Sequence, residues 1–360
     1  MKKVIFISAI ALAAAVSCTK SEVVDTKFNE QIGFETYLGR DAQTKAAVET
    51  AKTIGSAGVY GYYLGKDGSE WSGASEANLW NPLTLVVDTQ TGNAVQPTDG
   101  DIRYWANDTD EYTFLAYAPK AEVTVVAGAN GQDPTIDYTV DTNLKNQVDV
   151  LCATPVHGSK TDLNGAVALN FKHTLSRLTV KAKATAGNFD FHIRSIVLKG
   201  DFYSAGKLPL SAPTAWTDLT TTEDTEYAFP AVATEALPKP ATAEGTVEYK
   251  DYAGTDSYLM MIPVKAAAHK ATLTVVYYTS YMAGDKTMES IDYTKEFEIS
   301  TDFAMGKAYA INLEFVQDLD NKINFSVSVD GWDEDTTPQI EYPAGGQPTT
   351  EEPEDETPQE

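Results

Sequence analysis

Cys18 is the residue whose position most directly suggests covalent chemistry. It follows the small residues Ala15-Val16-Ser17 at the end of an apolar run, 4–16, which two lysines precede. This arrangement is typical of a secretion signal, and the run is shorter than the roughly 20 residues that cross a bilayer. A cysteine directly after the cleavage point resembles a bacterial lipobox, although alanine stands where leucine is usual. We therefore expect residues 1–17 to be removed and Cys18 to be acylated, for example with palmitate; the alternative is ordinary cleavage that leaves a free thiol.

The other reactive side chains lack the spacing that catalysis or metal binding requires. Cys152 lies in an apolar stretch, so we expect a buried structural thiol, and no disulfide can form once Cys18 is acylated. The four histidines form no HExxH motif and no Cys–His cluster. Asp108, Asp110 and Glu111 could serve glycoside hydrolysis, but in a chain with 52 acidic residues such neighbours are typical of solvated turns. We expect no enzymatic activity, no metal and no cofactor.

The charge of the chain argues against binding to nucleic acid or to anionic lipid. The formal net charge is −25, so little basic surface is available to neutralise phosphates. Much of the acidity lies at the carboxyl end, where residues 333–360 contain ten acidic residues and no Lys or Arg, together with repeated prolines. A segment of this composition cannot bury enough apolar surface to fold, so residues 336–360 are predicted to be a disordered acidic tail.

Alternation of apolar and polar residues recurs along the chain, whereas convincing helical periodicity is absent. Each alternating segment places one face on a core and the other in water, as the strands of antiparallel sheets do. The pattern is clearest in residues 32–38, 178–184, 311–315 and 323–329. Nineteen tyrosines and many Thr and Val residues also favour strands. The sequence therefore predicts an all-β protein.

One predicted strand changes phase near Ser195. Phe191 and Ile193 share one parity, whereas Ile196 and Leu198 share the other. An extra residue in the strand would reverse the parity without ending the sheet, so we predict a β-bulge at this point.

The organisation along the chain is predicted from turn-rich stretches and from length. Many short strands with irregular spacing favour β-sandwiches, and 360 residues suggest two domains. The stretch 158–165, GSKTDLNG, separates two strand-rich halves. We therefore predict a signal peptide at residues 1–17, followed by a lipidated linker at 18–30. An amino-terminal β-sandwich at 31–160 and a carboxyl-terminal β-sandwich at 161–335 come next, and the acidic tail is 336–360.

Five groups of residues, in order along the chain, resemble the fimbrillins of Bacteroidales, which are the subunits of type V pili. Each motif alone is weak, but the five in this order are fairly specific, and together they extend over nearly the whole chain after the signal. They are Ile32-Gly33-Phe34 with Lys45-Ala46, Tyr104-Trp105 with residues 112–119, Gln147–Leu151 with Leu169–Leu178, Gly306–Leu313, and Val329-Asp330-Gly331-Trp332.

The resemblance implies a fold, a location and a role. Fimbrillins have two tandem β-sandwich domains of mainly antiparallel strands, of transthyretin-like or Greek-key type. They mature as lipoproteins, and they assemble on the outer membrane into fimbriae that support cell adhesion. The expected partners are therefore other pilus subunits, the outer membrane through the lipid anchor, and glycans or proteins on host or bacterial surfaces.

The resemblance also implies assembly by strand exchange. In the family a protease of trypsin-like specificity removes the first strand, and the vacated groove accepts the last strand of a neighbouring subunit. In this chain the removable strand would be 31–38, with Ile32, Phe34 and Leu38 facing the core, and the cut would follow Arg40 or Lys45. The donated strand would be 323–329. Its groove-filling residues would be Ile323, Phe325, Val327 and Val329.

Two features leave alternatives open. The acidic tail extends beyond the last strand and cannot enter an apolar groove, which argues against a repeating shaft role and leaves tip, anchor or adaptor roles open. Trp71 and Trp80 fall among small and polar residues in a predicted loop, where exposed tryptophans can stack on sugars. The second hypothesis is therefore a surface glycan-binding lipoprotein that does not polymerise and that uses Trp71 and Trp80.

Overall fold

The computed structural model describes residues 30–38, 54–66, 76–129, 132–231, 233–252, 258–317 and 322–332. Nearly all regular elements in these ranges are β-strands, which confirms the all-β prediction. The exceptions are one short helix, α1 (Ala266–His269), and two 3-10 turns, Asp99–Asp101 and Leu144–Asn146. Within these ranges, no helix has the length and apolar character needed to cross a membrane.

The first sheet has seven strands, in the order β1-β9-β7-β4-β2-β3, with β8 also paired to β4. Most neighbours are antiparallel, but the terminal pair β1–β9 is parallel. The strands are β1 (Gly33–Leu38), β2 (Ser56–Gly65), β3 (Trp80–Val86), β4 (Glu111–Ala118), β7 (Leu151–Ala153), β8 (Val156–Ser159) and β9 (Ala166–His173).

The second sheet has five strands, in the order β13-β10-β18-β19, with β14 also paired to β10. Its last strand, β19, pairs antiparallel with β18 along nine residues. The strands are β10 (Ser176–Ala184), β13 (Lys250–Asp251), β14 (Leu259–Met261), β18 (Lys307–Phe315) and β19 (Ile323–Gly331).

The third sheet has seven strands, in the order β16-β15-β11-β6-β5, with β12 paired to β11 and β17 paired to β15. The long strand β11 is its centre. The strands are β5 (Val125–Val126), β6 (Thr135–Thr139), β11 (Asp190–Pro209), β12 (Thr217–Phe229), β15 (Ala271–Ala283), β16 (Lys286–Glu289) and β17 (Tyr293–Ile299).

Two apolar cores follow from the alternation of side chains along these strands. The first core lies on one face of the first sheet and is completed by loop residues such as Ile54, Val87 and Trp105. The second core joins residues of the second and third sheets, and Tyr60 and Tyr117 bring the opposite face of the first sheet into it. Burial of this apolar surface is the main favourable contribution to folding.

The bulge predicted near Ser195 is confirmed. The pairing of β11 with β15 shifts register between Ile193 and Ser195, so one extra residue lies in β11 at this point. Phe191 and Ile193 before the bulge and Ile196 after it are therefore all buried. Without the extra residue, Ile196 would face the opposite side of the sheet from the other two.

The sheets do not divide at the predicted domain boundary. β9 follows residue 160 but belongs to the first sheet, whereas β5 and β6 precede residue 160 and belong to the third. Strand pairing therefore extends the first sheet to His173. The turn-rich stretch 158–165 is a connection between β8 and β9 within one sheet, because β8 pairs with β4 and β9 pairs with β7.

The buried imidazole of His269 makes the stability of the fold dependent on pH. Its Nδ1 accepts the Ala271 N–H at 3.1 Å and its Nε2 donates to Thr301 O at 2.8 Å, so the neutral ring satisfies both partners. Burial lowers the pKa of His269 below its usual value. The unfolded chain therefore binds a proton more readily near pH 6.5 than the folded chain does.

We predict that the contribution of His269 to the free energy of unfolding is fully present above about pH 6.5 and declines as pH falls through that value. The measurement is urea denaturation between pH 5 and pH 8. His269→Gln should show a smaller decline than the parent chain, whereas the control His157→Gln, at a half-exposed side chain, should show the parent's decline. Equal declines in all three proteins would contradict the assignment.

Candidate functional site

The two segments singled out by the sequence both form terminal strands of sheets. β1 pairs on one side with β9, in register from Gly33 opposite Ala166 to Leu38 opposite Phe171. β19 pairs on one side with β18, from Phe315 opposite Ile323 to Lys307 opposite Gly331. A terminal strand can leave a sheet by breaking one ladder, whereas an internal strand must break two. Both segments therefore occupy positions from which exchange is geometrically simple.

β1 fills a groove bounded by β9, by the rings of Trp80 and Phe114, and by the loop 92–105, which we call the β1 groove. The core-facing residues Ile32, Phe34 and Leu38 are 0%, 2% and 4% exposed. The Phe34 ring lies 5.5 Å from Trp80 and meets the edge of Phe114 at 6.1 Å. Sequence reasoning correctly grouped the three apolar residues of β1, and the structure brings them together on one buried face.

The outer edge of β1 is covered by a side chain rather than by another strand. Gln96 accepts the Phe34 N–H at its Oε1 and donates from its Nε2 to Phe34 O, both at 2.8 Å. At the start of β1, Ile32 N–H donates to Arg103 O at 2.9 Å. These bonds satisfy main-chain groups that would otherwise be unpaired at a buried edge. No signal in the sequence identified Gln96.

One core-facing residue of β1 is polar. The Thr36 hydroxyl donates to Gly92 O at 2.8 Å, and Thr36 is 4% exposed. On the opposite face, Tyr37 donates to Glu35 Oε2 at 2.6 Å, and this hydrogen bond is the main cause that raises the pKa of Tyr37 to about 12. β1 thus has one apolar face in the groove and one polar face towards water.

β19 is held less deeply in its own sheet. Ile323 and Val327 are buried, at 7% and 2% exposed, whereas Phe325 and Val329 are only partly buried. Phe325 stacks on Phe297 of β17 at 5.1 Å. All four predicted donor residues lie on one face of β19, but this strand buries its apolar face incompletely.

The carboxyl end of β19 is held by a cluster of stacked side chains, which we call the Trp332 clamp. Trp332 stacks on His173 at 4.0 Å between ring centroids, and the Arg177 guanidinium lies 4.8 Å from the Trp332 centroid. His173 Nδ1 lies 2.8 Å from the Asp149 carboxylate. Because His173 ends β9, the clamp connects the last strand of the chain to the strand that lines the β1 groove. The motif that ends in Trp332 was visible in the sequence, but its partners were not.

The remaining predicted site residues have different outcomes. Cys18, Arg40, Lys45 and Trp71 lie outside the described residues. The predicted surface contact of Trp80 is wrong: its side chain is 5% exposed, and its Nε1 donates to Asp101 O at 2.9 Å. The small and polar residues that precede Trp80 favour a loop, but Trp80 begins β3 and its ring packs on Phe34.

The acidic residues that could have suggested catalysis make structural contacts. Asp110 accepts the Tyr63 hydroxyl at 2.5 Å, and this bond is the main cause that lowers the pKa of the Asp110 carboxyl. Asp108 lies 2.9 Å from Lys160, which also contacts Glu30 directly before β1. In the part of the chain that the structure describes, no group of three or more potential metal ligands occurs.

Comparisons by sequence link the chain to fimbrial proteins. A family model described as fimbrillin-like matches residues 44–332. The fimbrium subunit Fim1C of Phocaeicola vulgatus is 26% identical over 194 residues, which cover 48% of this chain and 50% of that protein. The chain therefore spans about half the length of this curated relative.

Comparisons by structure extend over a larger share of the chain. A fimbrial protein from Bacteroides vulgatus has a TM-score of 0.65 at 17% identity, covering 84% of this chain and 100% of its own. A candidate cell adhesion protein from Bacteroides ovatus has a TM-score of 0.51 at 16% identity, covering 84% and 98%. At these identities the similarities establish a shared fold.

The burial of Phe34 leads to a prediction about how firmly β1 is held. Phe34→Ala leaves a cavity beside Trp80 and Phe114, which should cost about 3 kcal/mol or more. Hydrogen exchange of the β1 amides should then become roughly a hundredfold faster, because this cost is concentrated in a terminal strand. Glu35→Ala, on the polar face of the same strand, is the matched control and should change exchange little. Equal acceleration in both variants would contradict the account of the groove.

The Trp332 clamp leads to a second prediction. Trp332→Ala removes the ring that stacks on His173 and Arg177, so the amides at the end of β19 should exchange about tenfold faster in the free subunit. Trp332→Phe keeps an aromatic face and should show a smaller change. If Trp332→Ala left exchange in β19 unchanged, the clamp would contribute nothing to holding this strand.

Proposed function

Because this chain belongs to the fimbrillin-like family, we propose that it is a structural and adhesive subunit of a type V pilus that assembles by donor-strand exchange. Proteins of this family are fimbrial and adhesion proteins rather than enzymes. The observation that supports the mechanism best is the β1 groove: a terminal strand close to the amino end fills it with a fully buried apolar face.

The first step of the proposed mechanism is removal of β1. A protease of trypsin-like specificity would cut after Arg40 or Lys45, which follow β1 in the sequence. Loss of the strand would leave unpaired N–H and C=O groups along β9 and would expose the rings of Trp80 and Phe114. Such an edge, with both hydrogen-bonding and apolar sites unfilled, is a strong template for another strand.

The second step is occupation of the groove by the last strand of a neighbouring subunit. An added strand restores the main-chain ladder and fills the pockets with alternate side chains. We propose β19 as this strand, with Ile323, Phe325, Val327 and Val329 as the groove-filling residues. Donor and acceptor surfaces differ, so each subunit can bind the next without closing a ring, and the contacts extend into a filament.

The proposed location follows from the amino end. Acylation of Cys18 would attach the precursor to the outer membrane, and cleavage after Arg40 or Lys45 would release it into the fimbrium. Partners would be other pilus subunits and, for adhesion, glycans or proteins on host or bacterial surfaces. The tail, 336–360, leaves a shaft, tip or anchor position open.

The alternative is a surface glycan-binding lipoprotein that does not polymerise. It relied on two exposed tryptophans, and the burial of Trp80 leaves only Trp71 for that role. We therefore favour the pilus subunit.

Amino-terminal sequencing of the fibre-associated protein tests the proposal. We expect assembled subunits to begin at Asp41 or Ala46, because β1 must be cut away before the groove can accept a donor. Arg40→Gln combined with Lys45→Gln should leave the protein at the cell surface but outside fibres, whereas either single substitution still leaves one site for cleavage. Fibres whose subunits retain a blocked, acylated Cys18 would contradict strand exchange, and an absence of fibres in cells that display the protein would favour the alternative.

A further inference from the structure

The first and last strands of the chain carry the same pattern of core-facing residues. Residues 32–38 read IGFETYL and residues 323–329 read INFSVSV. Both segments have isoleucine first, phenylalanine third, a β-branched residue fifth and an aliphatic residue seventh. The agreement holds when the two segments are read in the same direction.

We infer that the β1 groove accepts β19 of a second copy of this chain, running parallel to β9 as β1 does, in a single register. This inference rests on the proposed function and specifies the partner, the direction and the pairing. The register places Ile323 at the site of Ile32, Phe325 at that of Phe34, Val327 at that of Thr36, and Val329 at that of Leu38.

The aromatic site fixes the register. Phe34 is 2% exposed and lies against Trp80 and Phe114. A valine in this position would leave a cavity of several methylene groups, and a shift by one residue would turn the apolar face of the donor outward. Phe325 is the only aromatic residue in 322–331, so the donor has one position in which the site is filled.

The neighbouring sites fix the direction. If β19 entered in the opposite direction with Phe325 still beside Trp80, Ile323 would occupy the site of Thr36. Asn321 would then occupy the apolar site of Leu38, where its amide would be buried away from water. In the parallel direction the same site receives Val329. The small polar residues of β19 then replace Gly33, Glu35 and Tyr37 on the half-exposed face.

The relative burial of the two strands explains why a cut must come first. In its own sheet β19 leaves Phe325 and Val329 only partly buried, whereas the β1 groove buries all four corresponding residues. A vacated groove would therefore cover Phe325 and Val329 more fully than the strand's own sheet does. The resident strand fits better still, because the Thr36 hydroxyl bonds Gly92 O and Leu38 fills more volume than valine. The donor can replace β1 only after β1 has been severed.

One side chain must adjust to the donor. Asn324 would take the place of Gly33, where an added Cβ would lie 3.0 Å from Gln96 Oε1. The end of this glutamine side chain can shift by a few tenths of an ångström, and its amide can still bond the main chain of Phe325 as it bonds that of Phe34.

Engineered disulfides between copies test the register and the direction. Ala168 lies opposite Glu35, so in the inferred register the Ser326 side chain of one copy lies beside Ala168 of the next. Full-length Ala168→Cys/Ser326→Cys should form a ladder of covalent multimers when isolated fibres are run without reductant, because adjacent strand positions suit a disulfide. A second parallel pair, Ala166→Cys/Asn324→Cys, should do the same. Ala168→Cys/Asn324→Cys reports the opposite direction and should run as monomers.

The outcomes separate this inference from the proposed function. Fibres whose only ladder comes from Ala168→Cys/Asn324→Cys would overturn the parallel direction and leave strand exchange intact. Fibres of normal length with no ladder from any pair would show that β19 of a second copy does not fill the groove with Phe325 at the site of Phe34, which overturns this inference and leaves strand exchange intact. If the parent chain forms no fibres after cleavage at Arg40 or Lys45, the proposed function fails, and this inference fails with it.

Discussion

The edge of β9 that β1 covers is the constraint on which the arrangement of the chain depends. A strand inside the protein cannot leave its N–H and C=O groups unpaired, and an apolar face cannot remain in water. β1 meets both requirements along β9, and Gln96 covers the far side of β1, where no further strand follows among the described residues. The proposed assembly depends on which chain supplies the strand beside β9. Before cleavage it is the same chain, and after cleavage it would be a neighbouring subunit.

In the proposed mechanism, three levels of fit determine the direction of exchange. The resident strand has the best fit, since its threonine hydroxyl and leucine match the groove in detail. In the proposed mechanism β19 in the groove comes next, because its own sheet leaves two of its apolar side chains incompletely covered. In the proposed mechanism this order would keep the intact precursor from polymerising prematurely. The Trp332 clamp adds to that stability, because it connects the end of β19 to the end of β9 through stacked rings.

Sequence reasoning predicted local features well. The segments with strict alternation became β1, β10, β18 and β19, and the phase change near Ser195 became a bulge. Pairing between strands far apart in the sequence was not predictable in the same way. The alternation of apolar and polar residues indicates which face of a strand is buried, but it does not indicate which other strand lies beside it. The parallel pairing of β1 with β9, the assignment of β9 to the first sheet, the burial of Trp80 and the role of Gln96 all depend on such contacts. Tyr37 and Asn170, for example, lie opposite each other in this pair of strands although they are far apart in the chain.

A density map of the native fibre, resolved well enough to trace side chains, tests the central claim most directly. The account predicts that residues 31–38 are absent from each assembled subunit and that a strand from the next subunit runs beside β9, with the Phe325 ring against Trp80 and Phe114. A map in which Phe34 still occupies that site, with subunits joined through some other surface, would contradict it.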